Sequence, residues 1–144
     1  MAEEQTESIL DVDLGDAQEL ELMDEGEAKS RISRADIVEN KSNPGRRNLR
    51  VVIDSPDNKL VDDVYQYIVV PEKSWQEADP KGYVRAVNRM KDFAECYGVN
   101  VAGGEVSRMV GAEGWVDWGQ EMNDRTGRMQ NTIRRFIPPK KGRK

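Results

Sequence analysis

The sequence predicts a mainly β chain: a small antiparallel barrel, one α-helix between its third strand and a final hairpin, and a disordered acidic N-terminal leader. Three observations carry that expectation. Runs of β-branched and aromatic residues, each of strand length, recur between clusters of turn formers. A single apolar stripe of helical period lies between Tyr83 and Tyr97. The charge is segregated: residues 1–27 hold eleven Asp/Glu and no Lys or Arg, whereas residues 28–144 hold the other sixteen acids and all twenty-two bases. The net charge of −5 therefore describes neither part.

The leader, residues 1–23, mixes acids with scattered Ile9, Leu10, Val12 and Leu14 and has no aromatic residue. Such a composition buries too little apolar surface to offset the entropy of ordering it. A domain is expected over residues 24–138, with a basic tail at 139–144. Its first strand falls within Glu27–Glu39, around Ile32, Ile37 and Val38. Asn40-Lys41-Ser42-Asn43-Pro44-Gly45 is dense in turn formers. Leu49-Arg50-Val51-Val52-Ile53 reads as the second strand, and Ser55-Pro56-Asp57-Asn58 as the next turn. Val64–Val70, closed by Pro71, is the clearest strand by composition.

The helix follows. Asp79 suits the N-cap and Pro80 the first helical position. Tyr83, Val84, Val87, Met90, Phe93, Ala94 and Tyr97 then fall on one stripe, and Gly98 stands where a left-handed C-cap belongs. The aromatic members read as core, and Cys96 as a structural thiol. Residues 98–114 are rich in glycine and read as a connection with one turn or short strand. Trp115-Val116-Asp117-Trp118 alternates, Asn123–Gly127 supplies a turn, and Met129–Ile137 returns as its partner strand. Pro138-Pro139 ends it. This order matches that of the oligonucleotide-binding (OB) barrel, so the domain is expected to be OB-like.

Composition removes several function classes. No histidine is present, which excludes Ser-His-Asp and Cys-His activation and histidine-bound zinc. The one cysteine, Cys96, precludes an internal disulfide and a structural zinc site and fits a reducing compartment. No apolar run reaches the roughly 20 residues of a membrane span, and Met1-Ala-Glu-Glu lacks the order of a signal peptide. The cytoplasm is the expected location. Asp11/Asp13 and Asp62/Asp63 are neighbouring acids, but read as solvated faces. Neither a cofactor nor catalysis is expected, and a carboxylate-metal nuclease ranks last among the possible classes.

What remains points to a polyanion. Arg31, Arg34, Lys41, Arg46, Arg47 and Arg50 gather around the first hairpin. Arg125, Arg128, Arg134 and Arg135 gather around the last, and no acid follows Asp124. Guanidinium groups fork onto phosphate and stack on bases. Tyr65, Tyr67, Trp75, Trp115, Trp118 and Phe136 are interleaved with these bases. The strand period, with Val64, Ile68 and Val116 inward, puts Tyr65, Tyr67 and Trp115 outward as stacking platforms and Trp118 in the core. The expected nucleic-acid-binding set is Arg31, Arg34, Lys41, Arg46, Arg47, Arg50, Tyr65, Tyr67, Trp115, Arg125, Arg128 and Arg134. The acidic leader reads equally as a tethered competitor for that surface, as a recruiter of partner proteins with basic pockets, or as a disordered solubility tail.

The chain also resembles a family of bacteriophage single-stranded-DNA-binding-like proteins. The resemblance is carried by Gly26-Glu27-Ala28 to Ile37, Asn43-Pro44-Gly45 and Leu49-Arg50-Val51, then Tyr67-Ile68-Val69-Val70-Pro71. Phe93–Val99, Met109-Val110-Gly111, Gly114–Trp118 and the closing Gly127, Asn131, Ile133 and Phe136 continue it. It spans residues 24–138. Ala28 stands where the family often has Tyr, and the leader is outside the pattern. The resemblance implies an OB-like barrel that binds single-stranded DNA in phage replication or recombination, within the host cytoplasm. Replication or recombination proteins are the partners expected for the leader.

Overall fold

The computed structural model describes residues 11–139. Expectations placed on residues 1–10 of the leader and 140–144 of the tail lie outside the described residues. Five strands form: β1 (Gly26–Glu39), β2 (Arg47–Asp54), β3 (Val64–Val69), β4 (Glu113–Asn123) and β5 (Arg128–Ile137). Between β3 and β4 stand a four-residue helix α1 (Trp75–Ala78) and the long helix α2 (Pro80–Tyr97). Short 3-10 turns occur at Leu14–Asp16 and Val106–Met109.

The strands make one antiparallel sheet in the order β3-β2-β1-β4-β5. Its centre is β1, whose C-terminal half pairs with β2 and whose N-terminal half pairs with β4. Two bulges interrupt the ladders. Ser33 is the extra residue between Ile32 and Arg34, and Arg134 is the extra residue opposite Asp117 and Trp118. Bulges of this kind bend a strand and increase its twist.

The expected barrel is not closed. No ladder joins β3 to β5, which form the two edges of the sheet. The segment just before β1 stands at that opening instead. Glu21 makes an isolated parallel bridge with Val61, its N–H donating to the Leu60 carbonyl at 2.8 Å and its carbonyl accepting from Asp62 N at 2.8 Å. The buried Asn131 of β5 reaches the same place: its Oδ1 accepts from Met23 N at 2.8 Å and its Nδ2 donates to the Asp62 carbonyl at 3.0 Å. A side-chain amide thus ties β5 to the chain entering β3. The main chain is hydrogen-bonded to the domain from Glu21 onward, while residues 11–20 are exposed.

α2 keeps its expected ends. Asp79 Oδ1 accepts from Gly82 N at 3.1 Å, and Gly98 takes a left-handed φ of +65° with its N–H on the Ala94 carbonyl. Burial, however, is confined to the C-terminal end of the apolar stripe. Phe93, Cys96 and Tyr97 are buried, whereas Val84 and Val87 are exposed. Phe93, Tyr97 and Phe136 of β5 form a triangle of rings with centroids 5.2–6.0 Å apart. Edge-to-face pairs of this type add about 0.5–1.5 kcal/mol beyond burial. The last turn of α2 meets β4 at Gly114, where a Cβ would lie 2.5 Å from the Cys96 carbonyl, so a side chain there would force helix and strand apart. Beside it, Ser30 Oγ donates to the Gly114 carbonyl at 2.9 Å and accepts from the Tyr97 hydroxyl at 2.7 Å. The rest of the core is Ile32, Leu49, Val51, Ile53, Val61, Val64, Ile68, Met109, Val116, Trp118 and Ile133.

Candidate nucleic-acid interface

The alternation of β3 sets the first part of the surface. Val64 and Ile68 point into the core, leaving Tyr65 and Tyr67 on the opposite face at 53% and 50% exposure. The ladders extend each tyrosine into a row across three strands: Tyr65–Val52–Arg34 and Tyr67–Arg50–Asp36. On β4 the same alternation buries Trp118 completely and leaves Trp115 39% exposed. Trp115 is not beside the tyrosines. Its neighbour on β1 is Lys29, and the row Asp54–Arg31–Glu113 stands between it and Arg34.

Cross-strand carboxylates occupy several of the bases that the sequence singles out. Arg31 forks onto Asp54 at 3.1 and 2.9 Å, which raises its pKa above the ordinary arginine value. Arg50 forks onto Asp36 at 3.0 and 2.6 Å, which raises its pKa above the ordinary arginine value. The same contact holds the Asp36 carboxyl below the usual carboxylate range. Arg134 is paired with Glu25 and Arg135 with Glu27, the latter at 3.8 Å. Arg31, Arg50 and Arg134 therefore present a charge already offset by a carboxylate, although each spends only one or two of its five N–H donors on that partner.

Among the described residues, no ion pair engages Arg34, Lys41, Arg46 or Arg47 on and after β1, nor Lys81, Arg85 or Arg89 on α2. Two grooves collect three of them, Arg46, Arg85 and Arg89. One, of about 300 Å³, lies between the β1–β2 turn, β3 and the helices, with Arg46, Tyr67, Trp75, Arg85 and Arg89 on its walls. Arg46 lies over the Trp75 ring with Cζ 4.0 Å from the centroid. Arg89 donates to Gln66 Oε1 at 3.2 Å and stands 5.4 Å from the Phe136 centroid. The other groove, about 280 Å³, is lined by Arg85 and Arg89 again together with Arg134 and Arg135. Because the two helical arginines face both, the grooves adjoin, giving a belt of arginines from the β1–β2 turn across α2 to the β5 bulge, with the carboxylates of Asp79 and Asp92 also on its walls.

Arg125 and Arg128 are not on this belt. They sit at the β4–β5 tip, and Arg128 is six steps along the strand from Arg134, roughly 20 Å. Arg128 instead lines a cleft with Glu19, Leu20, Leu22 and Asp62. The sequence grouping of all the last-hairpin arginines therefore divides into two places. Conversely, Trp75, Arg85 and Arg89 are missing from the expected set. Their signal is the row Lys81, Arg85, Arg89, Phe93, Tyr97, spaced by four so that successive members lie about 40° apart on the helix. The row changes from basic to aromatic where α2 passes from solvent into the core.

Among the described residues no group of three or more Cys, Asp or Glu side chains is arranged to hold a metal ion. Asp63 has its pKa raised by burial and by Asp54 and Asp62. Among the described residues no helix is long and apolar enough to cross a membrane. No protein-family model matches the chain, and no curated protein matches it.

Proposed function

We propose that this protein binds single-stranded DNA without catalytic turnover and with little sequence preference, in phage DNA replication or recombination. The observation that carries the reading is the convergence of Arg46, Arg85 and Arg89, free of carboxylate partners among the described residues, on one groove with Tyr67 and Trp75. Cationic walls follow a phosphate backbone, and aromatic faces accept any base, which is the combination single-strand binding requires. The OB-like part of the reading is supported by the strand order and by the helix between β3 and the final hairpin. The cytoplasm, of the host if the chain is phage-encoded, is the proposed location.

The test is fluorescence anisotropy of labelled oligo-dT at two salt concentrations, on the full chain. Affinity should fall steeply with salt, and each lost phosphate contact removes about 0.7 from the log–log slope on single strands. An Arg46→Gln/Arg85→Gln/Arg89→Gln variant should flatten that slope by about 2. Absence of binding at low salt, both by the full chain and by a Glu25→Gln/Glu27→Gln variant, rejects the reading.

A second reading, an interaction protein working through its leader, draws on Val12, Leu14 and Leu20. These apolar residues stand exposed among acids. Replacing the three by Ser separates the readings, because DNA binding is then unchanged and only partner recruitment is lost.

A further inference from the structure

We propose that Trp75 is a base-stacking subsite whose ring is capped, in the free protein, by the Arg46 guanidinium. The inference rests on the reading of the protein as a single-strand binder and assigns one residue pair a job within it. Three observations lead there. Trp75 is half-buried, and its ring lines the groove between the β1–β2 turn and α2. Arg46 covers the ring at 4.0 Å, a distance at which guanidinium and nucleobase cannot share one face. The same groove brings Arg85 and Arg89 to its helix side and Tyr67 to its strand side, so a base on Trp75 would have cations for its flanking phosphates.

At the half-buried ring the attraction of a guanidinium overlaps in strength with that of a stacked base, so the phosphate that Arg46 gains on leaving favours the exchange. Arg46 also leaves from a turn, not from a strand interior: it precedes β2, and its N–H is bonded to the Asn43 carbonyl at 3.0 Å. Displacement therefore requires a side-chain rotation and leaves the ladders intact. The displaced guanidinium then lies at the mouth of the groove, where it gains a phosphate in place of the ring. Arg46 thus serves as a cap in the free state and a phosphate clamp in the bound state. On the helix wall, Gly82 adds no side chain between Asp79 and Arg85.

The test compares oligo-dT with an abasic deoxyribose-phosphate oligomer of equal length, on the full chain. Trp75→Ala should weaken oligo-dT binding about 5- to 150-fold, the equivalent of 1–3 kcal/mol for one stacked base, and leave abasic binding unchanged. Trp75→Phe, which keeps a ring, should lie within a few-fold of wild type. The Trp75 emission, taken as wild type minus Trp75→Phe, should be quenched by oligo-dT and not by the abasic chain. Arg46→Ala should keep the quenching while flattening the salt slope by about 0.7. If Trp75→Ala binds oligo-dT as wild type does, or loses both oligomers equally, the subsite is wrong while DNA binding stands. If wild type binds neither oligomer at low salt, the broader reading fails and takes this one with it.

Discussion

Asn131 stands in for a missing ladder, and its removal should show what that is worth. In Asn131→Ala two short hydrogen bonds disappear, from Met23 N at 2.8 Å and to the Asp62 carbonyl at 3.0 Å, with a weaker one to the Glu21 carbonyl at 3.5 Å. Each such bond contributes about 0.5–1.5 kcal/mol net, and partners stranded without water add to the loss. At 5% exposure the site is mostly closed to replacement water, so the expected loss is about 2–4 kcal/mol, with Tm falling on the order of 10 °C. Asn131→Asp should be worse at neutral pH, because it keeps the acceptor for Met23 but turns an oxygen toward two carbonyls. Those carbonyls raise the folded-state pKa of the new carboxyl above its unfolded value near 3.9. Its penalty therefore shrinks as pH falls through the raised pKa, where the carboxyl becomes a donor like the amide it replaced. Urea denaturation followed by tryptophan emission, at pH 7 and again in mild acid, measures both effects. An Asn131→Ala variant within 0.5 kcal/mol of wild type would refute the bridge as a structural tie.

Two further outcomes are expected. Replacing Glu25 and Glu27 by Gln releases Arg134 and Arg135, whose ion pairs are half exposed and stabilise the fold by less than about 1 kcal/mol. Stability should hardly change, while oligo-dT affinity at low salt rises several-fold and the salt slope steepens by about 1.4; an unchanged slope removes these acids as competitors. Burial pushes the Cys96 thiol up to about 11 from an ordinary value of 9.0. At pH 8 only about a thousandth of it is thiolate, so an aryl-disulfide reagent should react slowly with native protein and rapidly in urea. The stability this group contributes is present below pH 9 and lost as pH rises toward 11, which a pH series of urea midpoints would detect.

The helix was the most legible element, because its caps are local. Asp79, Pro80 and Gly98 act within a few residues of their own positions. Strand faces were legible for the same reason: Tyr65, Tyr67 and Trp118 need only the alternation to be sorted outward or inward. The charge balance of the surface was not. Arg31 meets Asp54 and Arg50 meets Asp36 only through strand register, and single arginines on a sequence reveal nothing of such partners. The β5 bulge was equally hidden; it sets Arg134 and Arg135 both outward, against strict alternation. Asn131 reads in sequence as one more polar strand residue, and only the meeting of Glu21, Met23 and Asp62 shows why an amide is needed.

The divided pairing of β1 has a consequence during synthesis. Residues 26–31 find their partner in residues 113–118, about 85 positions later, whereas the other half of the same strand pairs with the next hairpin arm almost at once. At 5–20 residues per second, the first half waits roughly 4–17 s on the ribosome with its backbone groups unclaimed. Glu27, Lys29 and Arg31 alternate along that waiting edge, and charged residues so placed discourage its pairing with another nascent chain. The charges of Glu27 and Lys29, which the finished sheet neutralises through Arg135 and Glu113, thus guard an edge before those partners have arrived.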